Sequence, residues 1–171
     1  MGMKNDKHCI LYILLIASMI ILGIVLHEAS HALALLLFGG SIYEISLINS
    51  HVTGHVMASH IPYIAMAALV FPAILVFGLS FIKIKNKTVR KYFAFSLVYL
   101  AVTPLINNLT NQFVFLFERN NSKHHACDLL LAIDYSNKYV EAFCIASSVI
   151  SACLSAFVML RQWRIFYDAV D

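Results

Sequence analysis

Charge is scarce in this chain. Only 12% of its 171 residues are Asp, Glu, Lys or Arg, against about 25% in an ordinary soluble domain. That scarcity excludes a disordered tail, a coiled coil and a soluble α/β enzyme. The net charge of +3 is too small to recruit a polyanion, so no nucleic-acid partner is expected. Cysteine is sparse and unpatterned: Cys9, Cys127, Cys144 and Cys153 contain no CxxC pair, which reads as small apolar residues and neither a disulfide framework nor a zinc cluster. Strict apolar–polar alternation over long stretches is missing, which excludes a membrane β-barrel. Repeats, low-complexity tracts and linkers are missing too, so residues 1–171 are expected to form a single domain.

Apolar residues fill the gap, at 61% of the chain. Long runs with almost no charge cover residues 9–38, 61–82, 92–117 and 142–160, and runs of about 18 or more apolar residues are long enough to cross a bilayer. The fold class expected is an all-α polytopic membrane protein with four transmembrane helices. A cleaved leader is not expected at the start, because the first apolar core exceeds the usual 7–15 residues and resumes after Glu28. Lys4, Lys7, Lys83, Lys85, Lys87, Arg90, Lys91, Arg161 and Arg164 fall on one side of four alternating spans, and only Arg119, Lys123 and Lys138 on the other. Basic residues favour the cytoplasmic side, so both termini are expected in the cytoplasm of a cell-membrane protein. Pro72 and Pro104 interrupt apolar runs and are expected to kink them.

The first run contains His27-Glu28-Ala29-Ser30-His31. Positions i and i+4 share a helix face, so both imidazoles can bind one metal ion, and Glu28 beside them can act on water without being a ligand. This is the HExxH arrangement of zinc hydrolases, in which the Glu is the general base. Chance would place it in about one chain in a hundred of this composition. Three ionisable side chains inside an apolar helix point the same way, since each is costly in lipid unless paired or coordinated.

His27 to Ala34, followed by Phe38-Gly39-Gly40 and a short polar–apolar segment, resembles the site-2 protease family of intramembrane zinc metalloproteases, in its compact form lacking a PDZ domain. The resemblance covers about residues 22–57. It implies one Zn²⁺ per chain, a membrane-associated β-structure after the first span, a carboxylate ligand from a later helix, and transmembrane protein segments as substrates. The family's Asn-Pro…Leu-Asp-Gly context is absent here, which leaves Asp128 and Asp134 as candidates for the third ligand. Asp128 is favoured because Asp128-Leu129-Leu130-Leu131-Ala132 resembles the Asp-bearing helical segment of compact relatives. Topology agrees independently. His27 lies about 27 Å of helix rise beyond Cys9, and the segment after the third span returns to that half of the bilayer.

Residues 41–57 alternate with period two around Asn49-Ser50, which predicts a short membrane-associated β-hairpin. Its edge can pair with an extended substrate by β-augmentation. Thr53 and Gly54 on the second strand, with Asn107 and Asn108 in the third span, are the candidate substrate-binding or oxyanion residues. These two, with Asn111 and Gln112 in the same span, could equally join neighbouring helices. His51, His55, His60, His124 and His125 are further candidates near the metal, with solvated or packing roles as the alternative. Catalysis is thus expected from Glu28 and metal binding from His27, His31 and Asp128. A regulator within the bilayer or a homo-oligomer is compatible with the composition. The rival readings are a non-catalytic metal-binding interaction protein and a bis-His haem or transport protein.

Overall fold

The computed structural model describes residues 3–46, 51–118, 128–134 and 137–168. In chain order these form α1 (Met3–Leu37), β1 (Ser41–Ser46), β2 (His51–His55), a one-turn 3₁₀ helix (Ala58–His60), α2 (Ile61–Leu79), α3 (Lys87–Glu118), α4 (Asp128–Asp134) and α5 (Lys138–Asp168). Among the described residues, α1, α2, α3 and α5 are each long and apolar enough to cross a membrane. Helices are the natural outcome for such runs, because without water every backbone amide needs a partner within its own segment.

The helices outrun the apolar stretches at several ends. α3 begins at Lys87, and α5 extends from Lys138 to Asp168. Hydropathy marks the part that suits lipid, whereas helical hydrogen bonding continues into charged sequence wherever nothing stops it. α2 and α3 also run on through Pro72 and Pro104.

Contacts set the helices alternately up and down. His31 meets Ile64 across α1 and α2, and Tyr12 meets Tyr92 where α1 and α3 begin. Asn108 meets Ser148 across α3 and α5, and Arg161 meets Ser80 across α5 and α2. Large apolar side chains such as Ile13, Ile21, Leu37, Ile106 and Leu116 face outward, while Glu28, Asn108, Ser148, Ser151, Ser155 and Gln162 are buried. Polar groups inside and apolar groups outside suit a bilayer as solvent. Gly23 lets α1 and α3 touch, since a Cβ there would land on the Thr103 side chain.

Two apolar clusters fill the interior. One joins Met66 and Leu69 of α2, Phe115 of α3, Leu129 and Ala132 of α4, and Cys144 of α5. The other joins Val76, Leu97, Leu100, Ala101 and Val158.

α1 stops at a glycine pair. Gly39 takes φ +72°. Its N–H donates to Leu36 O, and that of Gly40 donates to Leu35 O, which together make a Schellman cap. The chain then turns directly into β1, which pairs antiparallel with β2 from Ser41↔His55 to Ser46↔His51. An irregularity between Ile42 and Glu44 leaves Tyr43 as the extra residue of a bulge. The hairpin expected at 41–57 is therefore present, while its turn at Asn49-Ser50 lies outside the described residues.

Candidate metal centre

One continuous helix carries His27 and His31 on the same face, one turn apart. Their ring centroids are 4.9 Å apart with planes at 82°. Asp128, the first residue of α4, lies between them. Its Oδ2 is 3.4 Å from His27 Nε2 and its Oδ1 is 3.3 Å from His31 Nε2. One ligand atom from each residue lies within 4.8 Å of the others, so this group could hold a metal ion. Neighbouring ligand atoms of tetrahedral zinc with bonds of about 2.0–2.1 Å lie about 3.3 Å apart, and each imidazole here is near that distance from one of the two carboxylate oxygens.

Behind the ligands stand backbone carbonyls of α2. His31 Nδ1 is 3.0 Å from Ile64 O, and His27 Nδ1 is 3.2 Å from Ala68 O. A proton on each Nδ1 donated to these oxygens leaves both Nε2 lone pairs free for a metal, the usual support for imidazole ligands. The Ala68 carbonyl has a specific reason to be receptive. Its regular helical donor would be the N–H of residue 72, and Pro72 has none. His27 Nδ1 also lies 2.9 Å from Asn107 Nδ2. The two neighbours suit the two tautomers. Ala68 O accepts a proton from Nδ1, whereas Asn107 donates to Nδ1 when the proton is on Nε2 facing Asp128.

α4 is held so that Asp128 reaches this place. Leu129 and Ala132 are completely buried, and the Leu129 N–H donates to Asn111 Oδ1 at 2.9 Å. Asn111 Nδ2 in turn donates to Asn107 O at 2.9 Å and to Asn107 Oδ1 at 3.2 Å. A chain of amides thus runs from α4 through Asn111 and Asn107 to His27. Asn108 is committed elsewhere. Its Nδ2 donates to Leu69 O and Pro104 O, and its Oδ1 accepts from Ser148 Oγ at 3.0 Å. Those bonds join α2, α3 and α5, the helix-joining arrangement of the two open to it.

Glu28 is fully buried, with Oε1 3.8 Å from His27 Nε2. Two cavities flank the group. One, of about 380 Å³, lies between α1 and α3 and reaches His27, Glu28 and Asn107. The other, of about 460 Å³, reaches His31 and Asp128 and is walled by Val52, Gly54 and His55 of the hairpin. Gly54 sits here because a Cβ would collide with Leu35 and with Ser41 O. Thr53, its neighbour, pairs with Glu44 and is exposed.

The other histidines divide. His55 lies against Tyr43, with centroids 5.9 Å apart, and His60 lies against Phe38 at 4.9 Å. Among the described residues neither joins the ligand group. His124 and His125 lie outside the described residues, as do the side chains of His51 and Asp134. Sequence reading marks Asn111 only as one of the polar residues of the third span that could join neighbouring helices, without naming α4 as its partner, and it misses the two carbonyls. Asn111 left a trace in the i, i+4 spacing of Asn107 and Asn111, whereas a carbonyl leaves none.

Fold and site together define a polytopic helical chain whose first long helix, with the start of a later short one, presents a His–His–Asp group able to hold a metal ion. Compared with protein families, curated proteins and solved structures, the chain matches none.

Proposed function

We propose that this chain is an intramembrane zinc metalloendopeptidase that hydrolyses peptide bonds in or near transmembrane segments of other membrane proteins. The observation that carries the reading is the arrival of Asp128 between His27 and His31, because two motif imidazoles and a distant carboxylate make a three-ligand catalytic set. Zinc held there would supply Lewis acidity, lowering the pKa of water and polarising a carbonyl oxygen. Glu28 takes the proton of the attacking water and returns it to the leaving amine. His27 and His31 are held in place by the Ala68 and Ile64 carbonyls, and Asp128 by the anchoring of α4 on Asn111.

The substrate enters on the hairpin side. A helical peptide bond is shielded and internally bonded, so it must be extended before water can attack. The hairpin beside His31 and Asp128 offers a strand edge for that, with Thr53 and Gly54 at hand. The cavity between α1 and α3, which reaches Glu28, is the route for water. The distribution of basic residues supports an orientation in a cell membrane with both termini on the cytoplasmic side.

Metal analysis of the purified chain, with cleavage of single-span reporter proteins, tests this. Wild type is expected to carry one zinc per chain. Glu28→Gln is expected to keep the zinc and to lose about 10²- to 10⁴-fold in turnover. A chain that purifies without zinc from zinc-supplemented cells, or a Glu28→Gln variant that cleaves as well as wild type, overturns the reading.

A further inference from the structure

The opposite end of the bundle gathers cations around a separate cavity. There the connection from α2 to α3 meets the last turns of α5 and encloses about 300 Å³, lined by Ser80, Lys83, Arg90, Phe93, Arg161 and Gln162 among others. Among the described residues no carboxylate lines it. Among the described residues, none of Lys83, Arg90 and Arg161 is in an ion pair.

Arg161 is a fixed cation. Its Nη1 donates to Ser80 O at 2.9 Å and to Ser80 Oγ at 3.1 Å, and its guanidinium lies 4.4 Å from the centroid of the Phe81 ring. Gln162 Nε2 donates to the same Ser80 carbonyl at 3.0 Å. One edge of the guanidinium is thereby pinned, and Arg carries five N–H donors in all.

Arg90 is the informative residue. Its Nε is buried and has no hydrogen-bond partner among the described residues. A buried donor on a permanent cation is costly without an acceptor, and an anion in the cavity supplies one. Lys83 stands exposed on the same lining. Phe81 and Ile82, also in the lining, are more than half exposed, at 52% and 53%. Cations beside exposed apolar side chains at the end of a membrane bundle match a ligand with a charged head and an apolar tail.

We propose that this cavity binds a phosphate group, that of an anionic phospholipid headgroup, with Arg90 and Arg161 as its donors and Lys83 adding charge. The site is independent of the metal centre, which packs against Ile64 and Ala68 nearer the start of α2, about 18–24 Å of helix rise from Ser80.

The full chain in neutral detergent is titrated with phosphatidylglycerol, phosphatidylcholine and inorganic phosphate. Emission from Trp163, two residues from Arg161 and the chain's one Trp, reports binding, and native mass spectrometry counts the bound molecules. Phosphatidylglycerol is expected to bind about tenfold more tightly than phosphatidylcholine. Arg90→Gln is expected to weaken it about tenfold, and the exposed Lys83→Gln about fivefold, with helical content and elution volume unchanged. Inorganic phosphate binding as tightly as the lipid, and weakened equally by both variants, supports the phosphate site and assigns it to the free ion. Equal affinity for the two lipids with no response to phosphate overturns the proposal. So does wild-type binding by Lys83→Gln, which decides the matter if Arg90→Gln fails to fold.

Discussion

Asp128 and His31 are far apart in the chain, yet Asp128 Oδ1 stands 3.3 Å from His31 Nε2. The other oxygen of the same carboxylate faces His27, so one side chain serves both imidazoles. Asp128→Ala is expected to lower metal affinity by at least about tenfold. Asp134→Ala, at the far end of α4, is expected to leave it unchanged. Metal content after dialysis against a graded chelator series distinguishes them, and equal loss in the two variants refutes Asp128 as the ligand.

Asn111 acts through the backbone of α4. Asn111→Leu removes the acceptor for the Leu129 N–H, so α4 loses an anchor and Asp128 its position. Metal affinity is expected to fall about tenfold, the lower end for loss of a group supporting a ligand. The same chelator titration reads it, and wild-type affinity would show that burial of Leu129 and Ala132 suffices to seat the helix.

Pro72→Ala separates stability from binding. The new N–H pairs with Ala68 O and completes a helical hydrogen bond in α2, so thermal stability without metal is expected to rise. The carbonyl is then shared, and metal affinity is expected to fall. Paired melting curves with and without zinc test the opposition. A variant improved in both respects would remove Ala68 O from the account.

Gly23→Ala forces a methyl group against Thr103, whereas nothing lies within 4 Å of a Cβ at Gly78. Gly23→Ala is therefore expected to destabilise the bundle by about 1–3 kcal/mol, the usual effect of overpacking, and Gly78→Ala hardly at all. Thermal unfolding in one detergent compares them directly. Equal melting temperatures would mean that α1 and α3 are not in close contact there.

Gly54→Ala pushes β2 away from Leu35 and from Ser41 O. Zinc content is expected to hold and reporter cleavage to fall, because the hairpin walls the cavity without supplying a ligand. Wild-type cleavage by this variant would detach the hairpin from substrate handling.

Much of this was legible in the sequence. Hydropathy located all four long helices, because lipid imposes a length and leaves little else for such runs to do. The shared face of His27 and His31 followed from helical spacing, and the proximity of Asp128 from topology together with the family resemblance. Helix ends were less legible, as Lys87 and Lys138 show, since hydrogen bonding persists beyond the apolar stretch. The support behind the imidazoles was not legible at all. Ile64 and Ala68 act through carbonyl oxygens, which every residue carries, and only packing selects these two.

The oxygen behind His27 belongs to the main chain. No side-chain change at position 68 can delete a main-chain carbonyl, although at a position 1% exposed only a small residue leaves that oxygen where it is. Vulnerability is displaced one turn along the helix, to a proline whose contribution is the N–H it does not have. A substitution there would look conservative, and even beneficial in a screen for sturdier variants, while it quietly competed for the atom that steadies the ring.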